Sequence, residues 1–576
     1  MTNLSFAQLK KNAKKDSSNF KKHKLAIMGN CATQHIAKAL QGYAYSENIG
    51  LDILDTDYNL IDAEIMDTSS EFYEFSPNST LIVMCVEKLY EEFCELDNTM
   101  KSSFSESVYS RICEQWSMIN QNTNTHILQF TFAENDSRIF GNYACKTPES
   151  FIYQIRKLNL MIMEGAQQIK NVYLVDINYI QSTYGRKNFY DDKMYYIAKM
   201  PFSTEMLPEI AKQVIDIIKS FMGLVKKCVI LDLDNTIWGG VIGDDGLNGI
   251  QIGELGVGHA FSEFQMWLKE LKKRGIVLAV CSKNNEDTAK EPFEKHPEMI
   301  LKLSDISMFV ANWEDKASNI QKIQQTLNIG MDSIVFFDDN PFERNLVKSM
   351  IPEITVPELP EDPALYLTYI KSLNLFETAS YSEADKDRTK QYQAEINRQG
   401  LQKKFETFDD YLKSLEMVAQ AKPFDSFYYP RIAQLTQRSN QFNLRTIRYT
   451  EAEIEQVANN KDNFTIYYTL KDKFGDHGLI SVVILDKIDD ETLFISTWLM
   501  SCRVLKRGME EFIINKIIEV ARANGYKSVI GEYIKTPKNS MVEHIYEKMN
   551  FDFIGDNKYI VDVNAYALNK TNIKEK

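Results

Sequence analysis

The chain has 576 residues, 44% of them apolar and 25% charged, with a formal net charge of −14. That length suits three to four domains of roughly 150 residues each, and the composition is that of a globular protein. An acidic balance excludes nucleic acid as the main partner, because phosphate backbones need basic faces. No run of about 18 apolar residues is present, so no membrane span is expected.

The basic start, residues 1–24, lacks the apolar core of a secretory signal and reads as a solvated leading helix. Strand candidates follow at 24–28, 51–55, 80–85, 125–130 and 171–176, with helical stretches around 104–119 and 150–168. Strands alternating with helices predict a parallel sheet covered on both faces over residues 1–225. Gly29-Asn30-Cys31 ends the first strand, where ligands bind in such sheets. The triplet resembles the Gly-Asp-Ser block of SGNH hydrolases, with Cys31 in place of Ser. The later Asp176-Ile177-Asn178-Tyr179 lacks that family's His. The preferred account of Cys31 is a buried structural thiol; the alternative is an acyl thioester, with His35 lowering the thiol pKa.

The eight cysteines (Cys31, Cys85, Cys94, Cys113, Cys145, Cys228, Cys281 and Cys502) form no CxxC pair or His/Cys cluster. Zinc is therefore not expected, and a reducing, cytoplasmic compartment is.

Residues 226–385 carry the most specific signal. The apolar run 229–231 leads into Asp232-Leu233-Asp234-Asn235-Thr236. Side chains at i and i+2 of a strand point the same way, so Asp232 and Asp234 share a direction. Two buried like charges need a neutraliser, and a hard divalent cation with oxygen ligands, typically Mg²⁺, is the simplest. A glycine- and acid-rich loop, an amphipathic helix over 259–274 and a strand over 276–281 follow, the last ending in Ser282-Lys283-Asn284. A strand over 307–311 precedes a helix carrying Lys316. A strand over 333–337 ends in Asp338-Asp339-Asn340. In a doubly wound sheet these strand ends lie together. They supply a nucleophilic carboxylate, an acid/base, a hydroxyl, an ammonium and further carboxylates, a complete set for phosphoryl transfer through an aspartyl-phosphate.

The stretches VILDLDNTIWGGVIGDDG, LAVCSKNNEDTA, FVANWEDKASNI and VFFDDNPFERNLV resemble the FkbH-like branch (subfamily IIIC) of the haloacid dehalogenase (HAD) superfamily. The resemblance implies that Asp232 attacks phosphorus and Asp234 serves as acid and base. Ser282 and Lys316 would bind the phosphoryl group. Asp232, Asp338, Asp339 and Asp234, the last through its backbone carbonyl, would surround Mg²⁺. Thr236, Lys283, Asn284 and Asn340 are expected at the substrate. For Glu343 and Arg344 a surface pair on the next helix is nearly as good an account as a functional one.

In residues 386–576, a charged connector helix is expected over 382–399 and a further helix near 408–415. A polar stretch over 432–445 either faces a ligand or serves caps and turns. Strands are expected over 479–485, 493–499 and 527–533, with helices from about 500 to 524 and over 540–549. The strand–loop–helix order resembles GNAT acyltransferases. Arg503 and Gly508 match that family's loop, and Lys506 stands where its middle Gly would be. The resemblance implies CoA, or a phosphopantetheine arm met by Lys506 and Arg507; a solvated basic helix start is an equal account of those two. His477, His544 and Cys502 are read as structural.

The expected architecture is thus α/β in three domains: a flavodoxin/SGNH-like α/β domain over 1–225, a central HAD-like doubly wound parallel sheet over 226–385, and a GNAT-like α+β domain over 386–576. The implied activity is Mg²⁺-dependent phosphoryl chemistry coupled to acyl transfer. It would take a glyceryl-like group from a small phosphorylated acyl substrate, such as 1,3-bisphosphoglycerate, to an acyl carrier protein. A GNAT-type acyltransferase modifying a sugar or metabolite, and a non-enzymatic carrier-protein scaffold, are the alternatives.

Overall fold

A computed structural model describes residues 4–135, 137–381, 391–395, 398, 401 and 405–576; the side chain of Arg503 lies outside that set. It comprises two compact units, Met1–Lys219 and Ser220–Lys576. No helix among the described residues is long and apolar enough to cross a membrane.

In the first unit, β1 (Lys21–Gly29), β2 (Ile49–Asp55), β3 (Ser79–Val83), β4 (His126–Phe130) and β5 (Val172–Val175) form one sheet in the order β2-β1-β3-β4-β5. Every neighbouring pair is parallel. This is the flavodoxin-like order, which follows from short right-handed crossovers through helices. Val83, Leu81, Ile127 and Leu128 are wholly buried, as a sheet covered on both faces requires. His23 of β1 is also buried, with Nε2 3.0 Å from the Ser79 hydroxyl. Burial, aided by the nearby His126 and Lys21, lowers its pKa to about 3.

The second unit holds two sheets. The first contains β6 (Cys228–Leu231), β7 (Val277–Ser282), β8 (Met308–Ala311) and β9 (Ile334–Phe337), all parallel, in the order β8-β7-β6-β9. Their apolar runs are buried on both faces: Val229 and Leu231 pack with Trp238, Phe264 and Leu268, and Cys228 and Ile230 with Ile320 and Ile323. The helix expected over 259–274 is Val257–Lys273. The strand order reverses beside β6, which places β6 and its neighbours' carboxyl ends at a switch point.

The second sheet is mixed. It runs β15-β16-β14-β13-β12-β11-β10-β17, with β10 (Val418–Lys422), β11 (Asn463–Asp472), β12 (Gly475–Lys487), β13 (Thr492–Met500), β14 (Ser528–Glu532), β15 (Asp552–Gly555), β16 (Lys558–Asp562) and β17 (Lys574–Glu575). The pair β13–β14 is parallel, joined by the helix Met509–Ala523, which covers one face with Phe512, Ile513 and Ile517. This α+β layout is the GNAT-like one expected of the third region. Two local readings are corrected, and a third falls mostly outside the described residues. The helix after β13 begins at Met509 rather than near 500, because a 3₁₀ turn, Cys502–Val504, and Gly508 in the left-handed region intervene. The helix expected over 540–549 is a 3₁₀ turn, Ser540–Val542, followed by the short helix Ile545–Lys548. The connector expected over 382–399 falls mostly outside the described residues.

β13 and β14 pair only from Thr492/Ser528 to Ile495/Gly531. Beyond that point residues 442–444 run between them. Leu444 N donates to Trp498 O (3.2 Å), Met500 N to Phe442 O (3.0 Å) and Ile534 N to Leu444 O (2.8 Å). The parting strands therefore have their backbone groups satisfied by the chain itself.

Candidate active site

The site is built at the carboxyl ends of β6, β7 and β9. Leu231 is the last paired residue of β6, and the Asp232 amide still donates to Phe337 O at 2.9 Å, which fixes the Asp232 side chain above the sheet. The chain then turns sharply. Asn235 takes the left-handed region (φ +53°), and its Oδ1 accepts Gly240 N at 2.9 Å. Lys316 is the first residue of the helix Lys316–Leu327, capped by Asp315 Oδ1, which accepts Ser318 N at 2.8 Å.

These elements bring one ammonium against three carboxylates. Lys316 Nζ lies 2.9 Å from Asp232 Oδ2 and 2.6 Å from Asp338 Oδ2, all three side chains being buried. Donor oxygens of Asp232, Asp338 and Asp339 lie within 4.8 Å of one another. Burial works against the Lys316 charge, but the Asp232 and Asp338 carboxylates outweigh it and hold the ammonium above the ordinary lysine range. Asp338 is pushed up to about 7 by burial and then by Asp232, against the pull of Lys316. Asp339 is raised for the same two reasons.

This arrangement fits Mg²⁺. Asp232 Oδ1 is buried and has no hydrogen-bond partner among the described residues. An ionised oxygen left so costs several kcal/mol unless a cation takes it up. Three ionised carboxylates and one ammonium leave an excess of two negative charges, which a hard dication with oxygen ligands offsets.

The remaining expected residues separate into holders and neighbours. The Asp234 carboxylate stands apart from the three clustered acids, its expected share in the metal site being its backbone carbonyl. Its Oδ1 accepts Trp238 Nε1 and Ile242 N, both at 3.0 Å, and its Oδ2 accepts Asn284 Nδ2 at 2.8 Å. The same Asn284 amide reaches Ser282 Oγ at 3.3 Å. Asn284 therefore ties Asp234 to Ser282, rather than standing free for substrate. Thr236 is wholly buried, and its Oγ1 accepts Asp339 N at 3.1 Å, which corrects its expected place at the substrate. Asn340 caps the helix Pro341–Met350 through Phe342 N at 2.9 Å. Lys283 Nζ lies 2.6 Å from Glu343 Oε1.

Glu343 and Arg344 are not a surface pair: both are buried. Arg344 Nη1 donates to the Asp338 carbonyl at 2.8 Å, and also to that of Asp339, fixing the backbone that aims both carboxylates. The sequence hinted at Arg344 only through its place six residues after Asp338.

The loop after β13 differs from expectation. Arg507 is buried. It pairs with Glu395, lies 3.5 Å from Asp472 Oδ2 and stands 3.3 Å from His477 Nε2. Arg398 completes this network with two bonds to Asp472, at 2.6 and 2.9 Å. The Arg507 guanidinium is thus an internal structural charge, neither a solvated helix start nor a ligand contact. Lys506 is exposed, with its amide donating to Glu510 Oε1 at 3.1 Å. Gly508 (φ +84°) is the N-cap of Met509–Ala523. His477, as expected, is held inside, 3.1 Å from Asp472; His544 is exposed and bonded to Glu547.

Cys31, at the end of β1, is buried. Its hydrogen bond with Cys85, together with burial, holds the thiol well above the ordinary cysteine range. His35 instead sits edge-on to Phe6, with centroids 5.2 Å apart. The lowered pKa that a reactive thioester position calls for is not met here.

Residues 24–219 match the family model described as the FkbH N-terminal domain. No curated protein matches the chain. Among solved structures, the N-terminal part of protein BF1531 from Bacteroides fragilis, containing a phosphatase domain and complexed with Mg, is 46% identical with a TM-score of 0.63; the match covers 66% of this chain and 100% of that one. An N-acetyltransferase from Staphylococcus aureus Mu50 is 17% identical over 26% of this chain and 99% of its own (TM-score 0.20). Spermidine N-acetyltransferase from Vibrio cholerae, in complex with CoA and spermine, is 13% identical over 26% and 98% (TM-score 0.20). Those two likenesses are too slight to bear on what this chain does. With the Bacteroides relative matched along its whole length at 46% identity, and the FkbH model over the first unit, the chain belongs to the FkbH-like family of HAD-type phosphatases and is an enzyme.

Proposed function

We propose that the chain transfers a phosphoryl group through an aspartyl-phosphate on Asp232, and that this step is coupled to acyl transfer. The acyl group is glyceryl or similar, carried in as an acyl phosphate of the 1,3-bisphosphoglycerate kind and delivered to an acyl carrier protein as a thioester. We place the phosphoryl chemistry in residues 226–385, between an α/β region over 1–225 and a GNAT-like region over 386–576. The observation that carries the phosphoryl part is the buried, unpartnered Asp232 Oδ1 beside Lys316, Asp338 and Asp339. The acyl part rests on the family.

Asp232 attacks phosphorus, and the bond from phosphorus to the leaving oxygen breaks. The leaving oxygen is that of the substrate's phosphate ester and takes a proton from Asp234; the acyl phosphate keeps its P–O bond, and the carrier thiol attacks its carbonyl carbon and expels inorganic phosphate. Asp234 then accepts a proton from the water that attacks the aspartyl-phosphate, and the Asp232 carboxylate is restored. Trp238, Ile242 and Asn284 hold the Asp234 carboxylate in one orientation for both tasks. Ser282 Oγ and Lys316 Nζ bind the phosphoryl oxygens. Mg²⁺ would be held by Asp232, Asp338 and Asp339 and supplies positive charge against the phosphoryl oxygens. Of the four residues expected at CoA or phosphopantetheine, Lys506 is exposed, Arg507 is buried and the side chain of Arg503 lies outside the described residues; no step is derived through either group.

The test is Mg²⁺-dependent phosphate release from a panel of acyl phosphates and phosphate monoesters, with Asp232→Asn alongside. Release from phosphate esters, the ester end of an acyl phosphate of the 1,3-bisphosphoglycerate kind included, that disappears in the variant and in EDTA supports the reading. A mass increase on a carrier protein supplied with the acyl phosphate supports the acyl half. No release from any compound overturns the phosphoryl reading; a carrier protein that gains no mass overturns the acyl half.

A further inference from the structure

The GNAT-like layout implies CoA or a phosphopantetheine arm, and the residues present do not fit either group. Each is an extended chain with two amides and an anionic phosphate ester. Docked along a sheet, such a chain needs free backbone N–H and C=O groups on a strand edge. Its phosphate needs amide donors or cations that no counter-charge already holds. Parting parallel strands would supply the first, and the loop and helix start after β13 the second.

Between β13 and β14 both edges are taken by the chain that follows the helix Tyr429–Arg438. On β13, Trp498 O accepts Leu444 N and Met500 N donates to Phe442 O, so that Asn443 forms an antiparallel bridge with Leu499. Beyond the end of β14, Ile534 N donates to Leu444 O at 2.8 Å. Arg445 also spans the gap, donating to Ser496 O at 3.0 Å and lying 2.6 Å from Glu532 Oε2. The other edge of β13 is paired with β12 as far as Met500. Phe442, Asn443 and Leu444 are buried, and Phe442 packs edge-on to Trp498 with centroids 5.4 Å apart. The Asn443 side chain accepts Thr446 N at 2.8 Å and donates to Ser439 O at 3.2 Å, while its carbonyl accepts Asn539 Nδ2 at 3.0 Å. The polar residues of this stretch thus hold its own path between the strands.

The phosphate end meets the same objection. Arg507 faces Glu395 and Asp472 inside the fold. The Lys506 amide, ahead of the helix Met509–Ala523, donates to Glu510 Oε1 at 3.1 Å. Glu510 and Glu511 place two carboxylates in the first turn of that helix, where they repel an anion. A cavity of about 510 Å³ lies beside this helix start. Lys506, Lys548 and Lys570 line it against Asp409, Glu510 and Glu511, an even balance among its described lining residues, and the buried Phe442 is part of its wall. It lacks the surplus of positive charge that draws a phosphate ester.

We infer that residues 442–444 are the permanent occupant of this cleft, and that the GNAT-like region seats neither CoA nor a phosphopantetheine arm there. The inference does not depend on the phosphoryl reading; it sends the carrier thiol of that reading to another part of the chain. The test is hydrogen–deuterium exchange of the full chain, with and without millimolar CoA or pantetheine 4′-phosphate. The amides of Leu444, Met500 and Ile534 are expected to be among the slowest of the second unit. Exchange in 498–509 and 530–536 should change less than twofold with either compound. Asn443→Ala removes the side-chain bonds that set the path of the segment and touches neither strand directly. It should speed exchange at Met500 and Ile534 together, roughly tenfold, the weight of one hydrogen bond. If Asn443→Ala does not fold, Asn539→Ala, which frees the Asn443 carbonyl, serves instead. Severalfold, saturable protection of 498–509 by either compound overturns the inference. So does exchange at Leu444, Met500 and Ile534 as fast as in exposed loops, or a variant that speeds Met500 and leaves Ile534 unchanged. Phosphate release through Asp232 is read separately, so either reading can fail without the other.

Discussion

Two places in the second unit hold buried charge, and they do so for different ends. At the carboxyl ends of β6 and β9, Lys316 faces Asp232, Asp338 and Asp339, and one oxygen of Asp232 is left without a partner. Around β11 and the loop after β13, Arg398 and Arg507 face Asp472, Glu395 and His477. Asp472 accepts both from Arg398 and from its own loop, with Phe474 N at 2.9 Å. The first cluster has more negative charge than its cation can answer. The second closes on itself. Excess charge with an orphaned oxygen marks a site that takes something in, whereas a closed network marks one that holds segments together.

The largest expected effect tests the first half of this contrast. Asp232→Asn should lower Mg²⁺-dependent phosphate release on the order of 10⁴-fold, about 5 kcal/mol in the barrier. The melting temperature should hold or rise, because a buried like charge is removed. Steady-state release and a thermal melt read both. Retained release would place the nucleophile elsewhere.

Next is Arg507→Met, which leaves Glu395 and Asp472 short of a cation. Breaking a buried pair from one side costs about 3–5 kcal/mol, read by denaturant unfolding. Lys506→Met, one residue away and exposed, should stay within about 0.5 kcal/mol. Equal, small effects from the two would return Arg507 to the surface and remove the contrast.

These neighbours also show what a sequence discloses. Asp232, Ser282 and Asp338 lie at the ends of apolar β-branched runs, so strand geometry alone gave their common location, and Lys316 followed from a helix start after the next strand. The two parallel sheets were legible for the same reason. Arg507 was not, because its partners lie 112 and 35 residues away and nothing local ties them together. Thr236, Asn284 and Asn340 sit inside the right motifs, but whether an amide or hydroxyl faces substrate or a neighbouring carboxylate depends on the loop's path. β10 and β11 went unread beside polar stretches that hide their alternation.

A buried ionisable group with only a neutral partner is the third case. His23 meets the Ser79 hydroxyl and, among the described residues, no carboxylate, and its pKa falls to about 3. Its neutral form is favoured in the folded state, so the unfolded chain binds the proton more readily between pH 6.5 and 3. Stability of the first unit is therefore full above about pH 6.5 and lost as pH falls through that window, by about 2 kcal/mol at pH 5. Unfolding of His23→Gln against pH should show a shallower loss than the unaltered chain. Parallel curves would mean that His23 is not the group responsible.

The smallest effect separates holding from binding at the active site itself. Thr236 Oγ1 accepts the Asp339 amide and faces Asp339 Oδ1 at 3.4 Å. Thr236→Val keeps the shape and removes the hydroxyl, at a cost of about 1 kcal/mol in the geometry of Asp339. If Thr236 acts through Asp339, the Mg²⁺ concentration for half-maximal phosphate release should rise severalfold, with KM for the phosphorylated substrate little changed, and Thr236→Ser should restore it. If the hydroxyl met substrate, KM would move and the metal dependence would not. The buried position of Thr236 favours the first outcome, because a side chain with no exposed surface can reach the ligand only through the carboxylate that it positions.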